Sequence, residues 1–259
     1  MSTHEELVII EAALENPGAH LHELQQLILQ STGTTVSTST ICRVFKQQGF
    51  SRRKLTFRAQ QRSEELRQQF MSEALVYDSP MLVFVDETGS DKRSSLRKYG
   101  YSPKGTPAIA GKMLVRGKRH SAIAAICTDG VLDVRITTDN VDEDEFCKFI
   151  ELSLLPQLLP FDGSNPRSVV VLDNASIHHT GQAVSLIEEI GAIPLFLPPY
   201  SPDIMPIEEC FSKVKAYLRA CDPVIQVLEE NEMDDIILAA FASVTPTDCC
   251  NWIEQCGYR

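Results

Sequence analysis

The spacing of hydrophobic positions divides the chain into a helical N-terminal part and a longer part in which strands and helices alternate. Between residues 21 and 28, apolar side chains recur at helical spacing, and "STGTT" then interrupts the pattern. A second short helix is predicted to follow Ser37, a residue type that caps helix N-termini, and to end at Gly49. Two short helices joined by a Thr/Gly turn are therefore expected.

The outward face of this second helix is polar and basic, and "FSRRKLTFRAQQR" after it adds further Arg and Lys residues. Such a helix pair is typical of a helix-turn-helix whose second helix enters a major groove, while the basic residues that follow lie along phosphates. A small helical bundle with a solvated basic face has the same pattern. The candidate DNA-binding residues are Ser39, Thr40, Arg43, Lys46, Arg52, Arg53 and Lys54.

From residue 80 onward, continuous apolar runs predict buried strands. "MLVFVDETG" indicates a strand that delivers Asp86 near its end, and "SVVVLDNASIHHT" indicates another that ends in Asp173. The other predicted elements are a hairpin over 120–127 and 131–137, helices over 142–159, 181–190 and 206–219, and a strand in "IPLFLPPY". The predicted fold class is α/β, a mixed sheet flanked by helices and preceded by a small all-α segment.

Composition limits the class of protein. The chain has 259 residues, 43% of them hydrophobic, which is enough for one large domain and one small one. Its eight cysteines show neither zinc-ligand spacing nor a disulfide framework, and no apolar run reaches the length of a membrane span. The N-terminus lacks a signal peptide. A soluble, intracellular protein without membrane contact is expected.

Charge is distributed unevenly along the chain. The net charge is −11, yet residues 43–62 contain seven basic residues and no acidic one. A local basic segment can bind phosphates even when the rest of the chain is acidic. The net charge therefore does not exclude nucleic-acid binding.

Three carboxylates are candidates for one cluster. Asp86 and Asp173 end predicted strands, and Glu208 opens a predicted helix just after Pro206. Three anions at close range require a cation, and oxygen ligands favour magnesium or manganese. Two such ions can activate a water and stabilise the leaving oxygen of a phosphodiester. Each residue alone also has a simpler explanation, since aspartates cap turns and both Glu208 and Glu209 suit a helix N-terminus.

The motifs "VFVDETGSD", "VVVLDNASIHHT" and "LPPYSPDIMPIEECFSKVKAYLR" together resemble the signature blocks of mariner-like DDE transposases, which are related to bacterial insertion-sequence transposases. The 34 residues between Asp173 and Glu208 match the spacing of that superfamily. "LRKYGYSPKGTPA" is similar to the family's segment after the first aspartate, and "VSTSTICRVFKQQGFSRRKL" is similar to its second helix-turn-helix.

This resemblance implies a ribonuclease-H-like catalytic fold and a cut-and-paste reaction on double-stranded DNA, with cleavage at terminal inverted repeats and strand transfer into target DNA. Carried over by position, the catalytic, metal-binding triad is Asp86, Asp173 and Glu208. It would hold two Mg²⁺ or Mn²⁺ ions, with Asp86 contacting both and the other two residues one each. Asn174 would support the site or contact DNA. Glu209, about 100° away around the helix, serves as a control. At least one of His178 and His179 is expected near the site.

The resemblance also implies domains, partners and location. The expected parts are a helix-turn-helix segment over 1–62, a connecting helix over 63–79, the catalytic domain over 80–221 and a C-terminal helical tail over 222–259. A homodimer is expected, because two element ends must be brought together, and a nuclear location is expected if the host is eukaryotic.

Two features depart from the family pattern. The family opens with tandem helix-turn-helix units, whereas this chain begins near the second, so its DNA-binding segment is expected to be truncated. Met205 stands where the family most often has Asn. Two alternatives to an active transposase therefore remain: a transposase-derived DNA-binding or regulatory protein without catalysis, and an inactive truncated copy.

Overall fold

The computed structural model describes residues 2–55, 62–93, 95–97, 99–109, 117–174, 181–228 and 232–259. The chain forms two compact units, Met1–Ala59 and Gln60–Arg259.

Within residues 2–55, the first unit contains three helices, α1 (Thr3–Glu15), α2 (Leu21–Thr32) and α3 (Thr38–Gln47). The Ser37 side chain caps α3 by accepting a hydrogen bond from the backbone N–H of Thr40, as the sequence predicts. Gly33 ends α2 with a φ of 73°, a backbone conformation that glycine adopts without strain. The small core of the unit consists of Ile9, Leu24, Ile28 and Ile41.

The second unit is built on a five-stranded sheet in the order β3-β2-β1-β4-β5. Its strands are β1 (Leu82–Ser90), β2 (His120–Cys127), β3 (Gly130–Thr137), β4 (Val169–Leu172) and β5 (Ile193–Phe196). The β1–β2 and β2–β3 pairs are antiparallel, whereas β1–β4 and β4–β5 are parallel. This confirms the predicted mixed sheet.

Helices cover both faces of this sheet. Within the described residues they are α4 (Glu64–Ala74), α5 (Glu143–Phe149), α6 (Gly181–Glu189), α7 (Pro206–Ala220), α8 (Asp222–Ile225), α9 (Met233–Ala242) and α10 (Pro246–Gln255). Side chains of α5 and α6 pack on one face, and those of α4 and α7–α10 pack on the other. The apolar strands β1 and β4 contribute to both cores, as expected of strands buried on both faces.

The helix predicted over 142–159 is regular only in its first part. Asp142 caps α5 by accepting from the backbone N–H of Glu145 at 3.0 Å. After Phe149 the chain continues through a π turn, Ile150–Leu154, and a 3₁₀ turn, Leu155–Gln157. Pro156 lacks the N–H that a continuing α-helix needs, and the helical conformation ends at Gln157.

The C-terminal segment belongs to the core of the second unit. Residues predicted to form a helical tail lie in α8–α10, and Ile237, Phe241 and Ile253 are buried in the same hydrophobic cluster as α7. The ring of Tyr258 packs on that of Phe84 in β1, with 5.0 Å between the ring centroids. The tail therefore covers the sheet face on which α7 lies.

In the described part of the chain, no single helix is long and apolar enough to cross a membrane, although α9 and α10 meet the criterion when taken together across a 71° bend.

Candidate active site

The pairing of β1 with β4 brings the two predicted aspartates together. The last residues in register are Val85 and Leu172, so Asp86 and Asp173 follow at the next position of adjacent parallel strands. Phe84 and Val171, which come one residue before Val85 and Leu172, both lie in the core beneath α7. Because strand side chains alternate, both aspartates point to the face covered by α7, and Glu87 belongs to the opposite face.

Glu208 reaches this edge of the sheet from the first turn of α7. Pro206 occupies the first helical position, where its missing N–H costs nothing, and Met205 forms the N-cap. The backbone N–H of Glu208 donates to the carbonyl of Met205 at 3.1 Å. Ile207 and Cys210 anchor the helix in the core, which leaves Glu208 on its open side.

The three carboxylates line one pocket of about 390 Å³. Glu209 lies outside this lining and is exposed, which agrees with its choice as a control. Backbone and side chains of the "LPPYSP" turn form much of the remaining wall. The lining residues are Asp86, Asp173, Asn174, Leu197, Pro198, Pro199, Tyr200, Ser201, Pro202, Met205 and Glu208.

Burial and mutual repulsion raise the pKa of two carboxyls in this cluster, Asp86 and Glu208. Burial is the main cause that raises the pKa of Asp86 to about 8, and the nearby charges of Glu87, Asp173 and Glu208 act in the same direction. The backbone N–H of Glu87, which donates to Asp86 at 2.7 Å, acts in the opposite direction. Burial also raises the pKa of Glu208, and Lys215 partly offsets this. Both shifts disfavour the ionised carboxylates, and a bound cation would have the opposite effect.

The donor set suits a hard divalent cation. Asp86, Asp173 and Glu208 offer only carboxylate oxygens, the ligands that Mg²⁺ and Mn²⁺ prefer. Among the described residues, no three Asp, Glu, His or Cys side chains already converge on one ion position. The three carboxylates therefore line the pocket without forming a preassembled ion site in this part of the chain. His178 and His179, expected near Asp173, lie outside the described residues.

The predicted DNA-binding residues lie on and after α3. Ser39, Arg43 and Lys46 are exposed, whereas Thr40 is half-buried, with its hydroxyl 2.9 Å from that of Ser37. Arg52, Arg53 and Lys54 are exposed in the segment that follows α3.

The sequence-based candidates do not include every residue of the two sites. Cys42 and Gln47 are exposed and, by helical spacing from Ser39 and Arg43, belong to the same face of α3. That spacing alone would have found them. No sequence signal, by contrast, connects Asp203 with Arg62 and Arg67, which bind it from far away in the chain.

Comparisons with known proteins identify two family models in this chain. A family model described as "DDE superfamily endonuclease" matches residues 81–227, and one described as "Winged helix-turn helix" matches residues 15–74. A search of curated proteins found no match.

Among solved structures, the fold is similar to that of Mos1 complexes. The Mos1 mariner paired end complex with Mn has a TM-score of 0.69 at 13% identity, covering 99% of this chain and 76% of the other. The Mos1 strand transfer complex has a TM-score of 0.66 at 15% identity, covering 97% and 74%. The mariner Mos1 paired end complex with Mg has a TM-score of 0.65 at 16% identity, covering 97% and 76%.

These similarities confirm the predicted ribonuclease-H-like fold with its helix-turn-helix segment. The endonuclease model spans more than half of the chain and includes all three carboxylates of the pocket. The chain belongs to the DDE superfamily endonucleases.

Proposed function

We propose that this chain is a DNA transposase that cleaves strands at terminal inverted repeats and transfers the freed ends into target DNA. The observation that carries the proposal is the pocket in which Asp86, Asp173 and Glu208 come together from three separate parts of the sequence. The Mos1 complexes, which share the fold at low identity, include a strand transfer complex and paired end complexes with Mn and with Mg.

In this proposal, the three carboxylates hold two Mg²⁺ or Mn²⁺ ions. When bound, the metal supplies Lewis-acid activation of the attacking oxygen and neutralises charge on the phosphodiester. Asp86 has a raised pKa and must release its proton before it can act as a ligand. Asp173, fixed beside Asp86 by strand pairing, and Glu208, fixed by the start of α7, would complete the ligand set. Asn174 lies at the pocket wall, where its amide can orient DNA.

The first unit would supply DNA recognition. Ser39 lies in the first turn of α3, and Arg43 lies one turn further along the helix. The N-terminal part of a recognition helix contacts base edges. Lys46, Arg52, Arg53 and Lys54 suit phosphate contacts. Joining two transposon ends requires two active sites, so the working form would be a homodimer. A nuclear location would follow if the host is eukaryotic.

Nicking of supercoiled plasmid DNA in Mn²⁺ tests the catalytic part of the proposal. Wild-type protein should convert supercoiled DNA to open circles, and Asp173→Asn should abolish this conversion because one ligand is lost. Glu209→Gln is the matched control, since it removes a neighbouring carboxylate outside the pocket. Equal nicking by wild type and Asp173→Asn would refute the proposed site. Salt-sensitive DNA binding without any nicking would identify a DNA-binding derivative.

A further inference from the structure

Asp203, five residues before Glu208, is bound by two arginines that precede or open α4. The guanidinium of Arg67 donates to both carboxylate oxygens of Asp203, at 3.0 and 2.9 Å. Arg62 donates to the same two oxygens at 3.3 and 3.4 Å. One carboxylate thus receives two forked guanidinium groups, a geometry that fixes its orientation as well as its charge.

These contacts differ from ordinary surface ion pairs. The side chains of Arg67 and Arg62 are only 11% and 15% exposed, while Asp203 is 50% exposed. Glu64 forms ion pairs with both arginines through their Nε atoms, at 3.0 Å from Nε of Arg62 and 3.5 Å from Nε of Arg67. The two arginines are thus already oriented and lose little freedom in binding Asp203.

The turn that Asp203 belongs to needs external support. Tyr200, three residues earlier, has a φ of 56°, which is costly for a side chain of that size. Such conformations persist when surrounding contacts impose them. Tyr258 provides one contact, since its hydroxyl donates to the carbonyl of Ile204 at 2.8 Å. The two arginines on Asp203 provide another.

From this geometry we propose that Arg67 and Arg62 are positioning residues for the metal site, which hold Asp203 and thereby fix the start of the helix that presents Glu208. The path is short, because Asp203 lies in the 3₁₀ turn Pro202–Ile204 and Met205 after it is the N-cap of α7. Neither arginine lines the pocket. The inference rests on the proposed function, since it assumes that Glu208 binds metal.

The two arginines should contribute unequally. Arg67 makes the shorter bonds to Asp203 and is the less exposed of the two. Its removal should therefore disturb the turn more than removal of Arg62. Arg67→Lys keeps the positive charge but loses the two parallel N–H donors of the guanidinium group. This variant should therefore disturb the turn less than Arg67→Ala does.

Binding of Mn²⁺ to the full chain, followed by the electron paramagnetic resonance signal of free Mn²⁺, tests the inference without relying on activity. Arg67→Ala and the isosteric Asp203→Asn should each weaken binding about tenfold, the lower end of what supporting residues contribute at metal sites. Arg62→Ala should weaken it less. Arg135→Ala is the matched control, because Arg135 pairs with Glu145 at 3.3 Å but lies on the edge strand β3.

A second measurement separates positioning from general destabilisation. If Arg67 only positions Glu208, plasmid nicking by Arg67→Ala should return towards the wild-type rate as Mn²⁺ is raised to saturation. Nicking that stays low at saturating Mn²⁺, or Mn²⁺ affinity equal to that of wild type in both Arg67→Ala and Asp203→Asn, would overturn the inference. If wild type itself binds no Mn²⁺, the proposed function fails as well. If wild type binds Mn²⁺ and the variants bind it with the same affinity, only the positioning role is refuted.

Discussion

Asp86 and Asp173 lie side by side because Val85 and Leu172 are the last paired residues of two parallel strands. Neighbouring strands are about 4.8 Å apart, so backbone pairing alone brings two carboxylates from distant parts of the sequence to the same edge. Both side chains point to the face covered by α7, whose first turn carries Glu208. The acidic site is therefore a consequence of strand register and of where one helix begins.

Binding of Mn²⁺ should strengthen as the pH rises towards 8. Below that value Asp86 carries a proton that the metal must displace, because the pKa of this carboxyl is raised to about 8. Release of one proton predicts about a tenfold gain in affinity per pH unit below 8 and little change above it. Calorimetric titrations in buffers of different ionisation enthalpy would count the protons released. Proton release that persists in Asp86→Asn would assign it to another group.

The metal-free protein should lose stability as the pH rises through the same window. In the unfolded chain the pKa of Asp86 is close to the ordinary aspartate value of 3.8, whereas the folded carboxyl keeps its proton until about pH 8. Between these values the folded state binds more protons than the unfolded state, so the free energy of unfolding falls with increasing pH.

Asp86→Asn removes this pH-dependent contribution. The stability of the variant relative to wild type should therefore be greater at pH 8 than at pH 5. Thermal melts of both proteins in the presence of a chelator would measure the difference. A constant difference in Tm between pH 5 and 8 would contradict the raised pKa.

Replacement of Arg43 and Lys46 should separate base recognition from phosphate binding. Arg43→Ala should cost about 1–3 kcal/mol of binding and relax sequence preference, because Arg43 lies nearer the start of α3. Lys46→Ala should weaken binding evenly across sequences and lower the salt slope by about 1. Duplexes selected from a random library would serve as ligands. Gln30→Ala, an exposed change on α2, should leave both quantities unchanged.

Loss of the Tyr258 hydroxyl should destabilise the second unit. Tyr258 is 1% exposed, and its hydroxyl donates to the carbonyl of Ile204 at 2.8 Å. Tyr258→Phe leaves that carbonyl without its donor, which costs about 1–3 kcal/mol of unfolding free energy. Urea denaturation would measure this cost. Tyr101→Phe is the control, since Tyr101 is fully exposed, and equal midpoints for the two variants would argue against the bond.

The sequence by itself predicted most of the strands and helices and selected three acidic residues as candidates for one site. Continuous apolar runs predicted β1 and β4, and the capping residue Ser37 predicted the start of α3, because both signals are local. Motif spacing selected Asp86, Asp173 and Glu208, which line one pocket in the structure. The family match over residues 81–227 includes all three positions.

Only the tertiary structure decided which residues support this pocket. Asp203 is separated from Arg62 by 141 positions and from Arg67 by 136, so no periodic pattern relates them. The same holds for the C-terminal helices, whose apolar residues read as a tail but lie in the core beneath α7. The raised pKa of Asp86 likewise depends on burial and on charges from other elements. Hydrophobic periodicity reports the environment of one element, whereas partners between elements are set by how the elements pack.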